Sequence, residues 1–372
     1  MQPVRLKRRV RSNSKKSFTP YLPKFLSTTS TLDVFRNSLS KGYPMNVSNL
    51  IKETNKQIEQ KKKDFAEDIF KGLTQSPKRI SSKYFYDDIG SELFQKITTH
   101  PDYYPTKTEY EILQDMKDKL PNSLSKDKID IIELGVGDGH KTNLIIQGFL
   151  DANTNVNFYP IDISSKAMTL LEGSIPKHKN LNIHGIVSEY LDGLNYLKNQ
   201  SENQKIVLFL GSNIGNFNQI ESISFLNTLR NQLNINDYAL IGFDLKKDTS
   251  ILNKAYNDSS GYTELFNINL LNRINVELDG NFDLSKFQHY GFYNPILGAM
   301  ESYLLSKEKQ QVQINKISST ISFDYLEPIH LEYSFKFLPS DISYLSKNSG
   351  YNVVKNFTDS KNYFTDSLWK AV

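Results

Sequence analysis

The chain has 372 residues and is 38% hydrophobic, with 22 Phe, 21 Tyr and no cysteine, which is enough apolar material for a large folded core and room for two domains. The absence of cysteine excludes disulfides, a thiol nucleophile and thiolate metal sites, and the six histidines show no metal-ligand spacing such as H-E-x-x-H. No apolar run approaches the roughly 18 residues that a membrane helix needs. We therefore expect no metal site and no membrane partner.

The net charge of +4 is unevenly distributed along the chain. Residues 1–24 hold eight Lys or Arg and no acid, which leaves −4 for the remainder and argues against a nucleic-acid-binding body. Residues 1–47 are basic, rich in Ser and Thr and poor in acids, and we predict that they form a disordered tail. A solvated tail, a transit-type presequence and a basic arm for an anionic partner all remain open interpretations.

The next segments are helical, with loops between them. The pattern predicts a helix over 48–73 and a turn at Asp87–Gly90. A loop bounded by prolines follows around Tyr103–Pro105, and a further helix is predicted to start at Thr106, whose hydroxyl can form a capping box with Glu109.

From residue 129 onwards, short apolar runs alternate with helical segments. The five predicted strands are 129–135, 156–162, 181–190, 206–211 and 237–245. Strands that alternate with helices are typical of a parallel sheet with helices on both faces. The predicted fold class is therefore α/β, with a doubly wound sheet.

This alternation stops near residue 250. A helix over 265–278 and several strand-like segments follow, which is an α+β pattern. The last helix and two strands, after residue 337, could return to the first sheet as a closing hairpin. We predict a doubly wound domain over 48–250 plus 337–372, and a smaller α+β subdomain over 251–336.

A glycine-rich turn, "ELGVGDGHKT", follows the first predicted strand. Gly135 and Gly137 would let the backbone approach a ligand closely. A dinucleotide site would want glycine at position 140, where this chain has His140, so a cofactor without pyrophosphate fits better, namely S-adenosylmethionine. Asp162, at the end of the next strand, would accept hydrogen bonds from the ribose hydroxyls. The alternative is a tight turn with a capping aspartate.

Two later strand ends carry polar residues at the same edge of the predicted sheet. After the third strand, Glu189 could bond an adenine amino group and Tyr190 could flank the ring, or the segment is a surface loop. After the fourth, "FLGSNIGNF" brings Gly211 and Asn216 near the reacting centre, because ligands of doubly wound sheets sit outside the carboxyl ends of the strands. An Asn in a glycine turn is the simpler interpretation of Asn216.

Four tyrosines, Tyr84, Tyr86, Tyr103 and Tyr104, fall in predicted loops. Aromatic faces and phenol oxygens would serve a product with a fixed positive charge, although tyrosines of the core or the rim would give the same pattern.

The segment "PIHLEYSFKF", residues 328–337, alternates apolar and polar residues and predicts a half-buried strand. Glu332 and Ser334 lie two residues apart and therefore side by side. The polar face of this strand either faces water or binds a ligand. In the second interpretation we expect His330 and Lys336 to lie further out, in water.

In combination, these motifs resemble the histidine Nα-methyltransferases of ergothioneine biosynthesis over roughly residues 80–372. The segments that carry the resemblance are "YFYDDIGSELF", "PDYYPTKTE", "ELGVGDGHKT", "YPIDIS", "FLGSNIGNF", "FDLKKD", "KAYND", "FNINLLNRIN" and "EYSFKF". Enzymes of that family transfer three methyl groups from S-adenosylmethionine to the α-amine of L-histidine, which gives hercynine. The resemblance implies a Rossmann-like methyltransferase domain and a substrate-binding subdomain over 251–336.

The resemblance also implies residue roles. The implied cofactor residues are Gly135, Gly137, Lys141, Asp162, Glu189 and Tyr190. The implied substrate residues are Tyr103, Asn216 and Tyr256 for the carboxylate, Tyr86 and Gly211 near the amine, and Glu332 and Ser334 for the imidazole. Tyr86 and Asn216 are the catalytic candidates, because neutral groups keep an amine unprotonated better than carboxylates do. The family often has an Asp–Phe pair at 189–190 and can have Met at Ser302, so this chain departs from it in both pockets.

Two other functions remain open at this point. The same fold could act on another amine or amino acid, such as tryptophan. A catalytically silent adaptor that binds through its basic tail is the second alternative. For the enzyme we expect a small-molecule substrate, no nucleic-acid partner, a monomer and a cytoplasmic location, with organelle import through the tail left open.

Overall fold

An eight-stranded, mostly parallel sheet runs through the protein. The structure, a computed structural model, describes residues 45–51, 55–124, 127–137, 139–198 and 200–372. Their strands are β1 (Asn46–Asn49), β2 (Lys78–Arg79), β3 (Lys128–Leu134), β4 (Asn155–Asp162), β5 (Leu181–Val187), β6 (Gln204–Phe209), β7 (Tyr238–Asp244), β8 (Phe287–Asn294), β9 (Ala299–Ser306), β10 (Gln310–Ile314), β11 (Ser319–Phe323), β12 (Pro328–Phe335), β13 (Tyr351–Thr358) and β14 (Phe364–Ala371). Their helices are α1 (Asn55–Thr74), α2 (Asp88–Thr99), α3 (Tyr104–Met116), α4 (His140–Asp151), α5 (Ser165–Ser174), α6 (Tyr190–Leu197), α7 (Gln219–Arg230), α8 (Thr249–Ala255), α9 (Tyr262–Leu278) and α10 (Pro339–Asn348).

The main sheet has the strand order β1-β5-β4-β3-β6-β7-β14-β13. Strands β1 and β3 to β7 pair in parallel, and the β13–β14 hairpin closes the sheet in antiparallel fashion against β7. Every residue of β7 is buried, as expected for a strand covered on both faces. The predicted α/β class and the closing hairpin are confirmed. The order reverses between β3 and β6, so a crevice for ligands is expected at their carboxyl ends.

A second sheet, with the order β2-β12-β9-β8, forms the other part of the fold. A hydrophobic core of its own lies beneath it and includes Phe65, Ile69, Phe266 and Leu270. Strand β8 was not predicted, because Gly291 and polar residues interrupt its apolar pattern. The subdomain boundaries at 250 and 337 stay a prediction.

Several local predictions were wrong. The helix predicted from residue 48 begins at Asn55, and residues 46–49 form strand β1 at the sheet edge. The turn at Asp87–Gly90 is the start of α2, where Asp87 caps the helix by accepting from the Gly90 N–H at 2.6 Å. Helix α3 begins at Tyr104 rather than Thr106. Most of the predicted tail, residues 1–44, lies outside the described residues.

The alternation predicted for residues 328–337 does not hold through the strand. The pairing of β12 with β9 shifts register between His330 and Glu332, which marks a bulge. Beyond it, Ser334 and Lys336 are buried, whereas Tyr333 is 37% exposed. Lys336 therefore points into the protein and not into water, and His330 is only partly exposed. No helix within the described residues combines the length and the apolar character that crossing a membrane requires.

Candidate active site

The glycine-rich turn after β3 is shaped by contact with Tyr190. Gly135 has a φ of +77°, in the left-handed region. A Cβ at this position would lie 2.7 Å from Tyr190 Oη. Any larger residue would therefore displace the tyrosine, which packs at the start of α6. Gly135 and Tyr190, both predicted for the cofactor, are brought together.

All six residues predicted for the cofactor lie at one edge of the main sheet, which we call the cofactor edge: Gly135, Gly137, Lys141, Asp162, Glu189 and Tyr190. Asp162 ends β4, and its Oδ1 accepts from the Ser164 N–H at 2.9 Å. Burial raises the pKa of Asp162, against the backbone N–H groups of Ser164 and Gly137, which lower it. Glu189 follows β5 and is exposed. This edge thus presents two carboxyl groups and a phenol around a close backbone turn.

Lys141 connects the cofactor edge to the turn after β6. Its ammonium donates to Glu109 Oε2 at 2.6 Å, and Glu109 Oε1 accepts from the Gly211 N–H at 2.6 Å. Glu109 is 1% exposed. Burial alone would lower the pKa of Lys141, but the Glu109 carboxylate raises it above its usual value. The sequence placed Glu109 in a capping box, and its real partners were missed.

On the other side of Gly211 lies a cleft that is partly open to solvent. All eight residues predicted for substrate binding or catalysis line it: Tyr86, Tyr103, Gly211, Asn216, Tyr256, Ser302, Glu332 and Ser334. These residues come from separate parts of the chain, and the fold brings them together in one cleft.

The wall near Gly211 is formed by neutral polar groups and aromatic rings. Asn216 is exposed to the cleft, and its side-chain amide makes no hydrogen bond with any residue that the structure describes. Tyr86 is 47% exposed and lies edge-on to Phe94 and Phe266, at 5.5 and 5.7 Å between ring centroids. Both candidate catalytic residues can therefore reach a ligand.

Glu332 contributes a carboxyl group to the opposite wall. It pairs with Ser302 across β12 and β9, so both side chains share the face that meets the cleft. Burial raises the pKa of Glu332 to about 7, although the Lys336 ammonium lowers it. The group therefore exchanges a proton near neutral pH.

Lys336 is the main residue of the cleft that the sequence missed. Its ammonium donates to Tyr256 Oη at 2.8 Å and to Ser334 Oγ at 2.9 Å, and lies 3.0 Å from Asp244 Oδ2. The Tyr256 hydroxyl in turn donates to Ser334 Oγ at 2.7 Å. Nothing in the alternating pattern of β12 distinguished this lysine from one in water.

Asp244, at the end of β7, is the anion of this network. Its carboxylate accepts from Tyr104 Oη at 2.7 Å and from the ammonium of Lys247. Burial alone would raise the pKa of Asp244, but Lys336 and Lys247 lower it below its usual value. Burial also lowers the pKa of Lys247 to about 8, against the attraction of Asp244.

Comparison with known proteins decides the family. A family model described as "Histidine-specific methyltransferase, SAM-dependent" matches residues 65–371. The chain belongs to this family. The resemblance seen in the sequence is thus confirmed, and S-adenosylmethionine is the cofactor.

Individual proteins that are similar to this chain support its place in the histidine-specific methyltransferase family. The histidine N-alpha-methyltransferase of Mycobacterium tuberculosis is 31% identical over 302 residues, which are 81% of this chain and 93% of that protein. That of Mycolicibacterium smegmatis is 32% identical with the same coverage. The ergothioneine biosynthesis protein 1 of Neurospora crassa is 30% identical over 64% of this chain, but these residues are only 29% of the fungal protein.

The cofactor edge fits S-adenosylmethionine. The close turn at Gly135 leaves room for a ligand against the backbone, and Asp162 and Glu189 offer carboxylate acceptors at two neighbouring strand ends. Tyr190 has its hydroxyl close to Gly135. The individual roles of these residues stay predictions.

Proposed function

We propose that the protein transfers three methyl groups from S-adenosylmethionine to the α-amine of L-histidine, giving hercynine, a step of ergothioneine biosynthesis. The observation that supports this substrate most directly is the pair formed by Glu332 and Ser334, which share one wall of the cleft. A carboxylate and a hydroxyl at this spacing suit the two nitrogens of an imidazole. The match to the histidine-specific family supports the same substrate.

The residues near Gly211 suit a neutral amine. When bound, S-adenosylmethionine supplies the methyl group on a positively charged sulfur. Nucleophilic attack needs the amine lone pair about 3 Å from that carbon and in line with it. Asn216 and Tyr86 can orient the amine without stabilising its protonated form, as a carboxylate would.

Glu332 would determine which side chain of the substrate is accepted. An imidazole N–H that donates to this carboxylate forms a charge-assisted hydrogen bond worth roughly 1.5–3 kcal/mol. A substrate with an apolar side chain would leave Glu332 buried and unpaired, at a cost of similar or greater size. Tryptophan is the second candidate, but its indole offers one donor on a larger ring and no partner for Ser334. The α-carboxylate would be held by Tyr103, Asn216 and Tyr256, which line the same cleft.

A direct test is to incubate the full-length protein with S-adenosylmethionine and each proteinogenic amino acid, and to follow the mass of the products. Histidine is expected to gain three methyl groups, and tryptophan none. Methylation of tryptophan in preference to histidine would select the alternative, and no product with any amino acid would favour the adaptor. Gel filtration and localisation of a tagged full-length protein would test the proposed monomer and cytoplasmic location.

A further inference from the structure

Asp366, on strand β14 of the closing hairpin, lies outside both the cleft and the cofactor edge. Its side chain is fully buried, and its neighbours two residues away on the strand, Phe364 and Leu368, belong to the hydrophobic core. Both carboxyl oxygens are buried, and neither accepts a hydrogen bond from an N–H or O–H group of the residues that the structure describes. An ionised carboxyl group is strongly disfavoured in such surroundings, so Asp366 needs either a donor or a proton of its own.

The group that faces Asp366 is the carboxyl group of Glu109 on α3. Asp366 pairs across the sheet with Gly242 of β7. A Cβ on Gly242 would lie 2.6 Å from Glu109 Oε1, so Glu109 rests directly on the glycine beside Asp366. The carboxyl groups of Asp366 and Glu109 lie within hydrogen-bond reach of each other. Two carboxylates only accept hydrogen bonds, so one member of this pair carries a proton.

Glu109 is the ionised member of the pair. Its two oxygens accept from the Lys141 ammonium and from the Gly211 N–H, each at 2.6 Å, and both donors stabilise a negative charge. Asp366 has no comparable donors. Burial and repulsion from Glu109 raise the pKa of Asp366 well above its usual value, against the Lys141 ammonium, which lowers it. The proton therefore belongs to Asp366, which donates it to Glu109.

We propose that Asp366 is a neutral carboxylic acid whose hydrogen bond to Glu109 positions Lys141 and the turn at Gly211 for methyl transfer. Glu109 is then held from three directions, by Asp366, Lys141 and Gly211. Lys141 is a predicted cofactor residue, and Gly211 precedes the short helical turn that carries Asn216. The pair thus links the cofactor edge to the cleft from beneath. Its effect on histidine rests on the proposed function, whereas its effect on the cofactor does not.

Infrared spectroscopy measures the protonation state directly. A carboxylic acid has a carbonyl stretch that a carboxylate lacks and that shifts when its proton is exchanged in D2O. The difference spectrum of wild type minus Asp366→Asn at pH 8 should contain one such band, because the other acids cancel. Asp237→Asn is the matched control. Asp237 is also buried but accepts from the backbone N–H groups of Lys205 and Asn234, each at 2.8 Å, so its difference spectrum should lack the band.

The pH dependence of unfolding is a second measurement. A group with a raised folded-state pKa stabilises the protein below its unfolded pKa, here 3.8, and this contribution is lost as the pH rises. The folding equilibrium constant of wild type relative to Asp366→Asn should therefore fall about tenfold per pH unit between pH 5 and pH 7.

The other charged groups near Asp366 are common to both proteins and cancel in this ratio. They are Glu109 of α3 and Lys141 of α4, with Glu133 of β3 close to Lys141. The residues opposite Asp366 on β7 and β13 carry no charge.

Cofactor binding tests the positioning role. Asp366→Leu removes the donor to Glu109 and keeps an apolar side chain of similar size in the core. Its Kd for S-adenosylmethionine, measured by calorimetry, should rise about tenfold, and KM for histidine should rise as well. Asp366→Asn retains an N–H donor and should keep Kd within about threefold of wild type. A role in packing alone predicts the reverse order, since leucine suits apolar neighbours better than asparagine does.

Each result decides the proposal. Absence of the infrared band, or a folding ratio that is independent of pH, would show an ionised Asp366 and overturn it. A Kd for Asp366→Leu equal to that of wild type would overturn the positioning role. Asp366→Ala, which removes the donor without adding bulk, replaces the leucine variant where that variant does not fold. Failure of the proposed function shows separately, as absence of histidine methylation by a wild type that has the band and binds S-adenosylmethionine.

Discussion

The carboxylate of Asp244 lies 3.0 Å from the ammonium of Lys336, and each side chain is only 1% exposed. Asp244 ends a strand of the main sheet, and Lys336 follows the last residue of β12 in the second sheet. A backbone bridge between Leu245 and Phe337 joins the same two segments. The ion pair therefore holds Glu332 and Ser334 of β12 in a fixed position relative to the sheet that carries the cofactor edge.

Replacing Asp244 by Asn should destabilise the protein strongly. The change leaves Lys336 and Lys247 buried without their anion, and breaking a buried pair in this way costs about 3–5 kcal/mol. The measurement is urea unfolding followed by circular dichroism at pH 7. Asp248→Asn is the matched control, because Asp248 is an exposed cap of α8 and Asn caps a helix equally well. Similar losses in the two variants would contradict the structural role of Asp244.

Glu332 should make the stability of the ligand-free protein depend on pH. Its folded-state pKa of about 7 lies above the ordinary value of 4.5, because burial disfavours the charge. Its contribution to stability is therefore complete below about pH 4.5 and is lost as the pH rises through 7. Glu332→Gln removes that titration, so its stability relative to wild type should increase by on the order of 2 kcal/mol between pH 5 and pH 8.

The measurement is chemical unfolding at the two pH values without histidine or cofactor. Glu308→Gln serves as the control, since Glu308 is 52% exposed and pairs with Lys286 at the surface. Its effect should stay within about 0.5 kcal/mol at both pH values. A difference between Glu332→Gln and wild type that does not vary with pH would show that Glu332 is solvated in the folded protein.

The sequence predicted the parts of this protein whose signal is local. Buried strands such as β7 are continuous apolar runs, and the turn at Gly135 is marked by its glycines. The bulge between His330 and Glu332 has no such marker, because it depends on how β12 pairs with β9. It separates His330 from Glu332 and Ser334, whereas Lys336 stays on their face of the strand, as the alternation predicts. The predicted environment of Lys336 was wrong because its burial beside Asp244 is not visible in the sequence.

Contacts between residues that are distant in the chain could not be predicted from the sequence either. The bond between Glu109 and Gly211 spans 102 positions, and a Thr-x-x-Glu pattern at the predicted start of α3 suggested a capping box instead. The pairing of Asp244 with Lys336 also joins segments that are distant in the chain. Charged side chains that are buried with a partner and charged side chains in water look the same in one sequence, since burial is a property of the fold.

Glu332→Ala should separate histidine binding from cofactor binding. The change removes the carboxylate proposed to accept the imidazole N–H, which is worth roughly 1.5–3 kcal/mol, or about 10- to 150-fold in affinity. KM for histidine should rise by that order, and KM for S-adenosylmethionine should change less than about threefold. Steady-state kinetics with each substrate varied in turn provide the measurement.

The control for this variant is Glu301→Ala on the adjoining strand β9. Glu301 neighbours Ser302 in the chain and so faces the opposite side of the sheet, where it binds Asn294 and Tyr303. It should leave KM for histidine unchanged in the folded fraction. If Glu332→Ala leaves both KM values at the wild-type level, the imidazole does not contact Glu332.

Replacing Gly135 by Ala should weaken the binding of S-adenosylmethionine. The residue has a φ of +77°, and the added Cβ would lie 2.7 Å from Tyr190 Oη, so the tyrosine must leave its place at the cofactor edge. Gly261→Ala is the matched control, because Gly261 has a φ of +73° but open space around its Cβ position. Both variants carry the left-handed strain of about 1–2 kcal/mol. Isothermal calorimetry should show at least about a tenfold higher Kd for S-adenosylmethionine in Gly135→Ala alone. Equal affinities in the two variants would mean that the contact between Gly135 and Tyr190 plays no part in holding the cofactor.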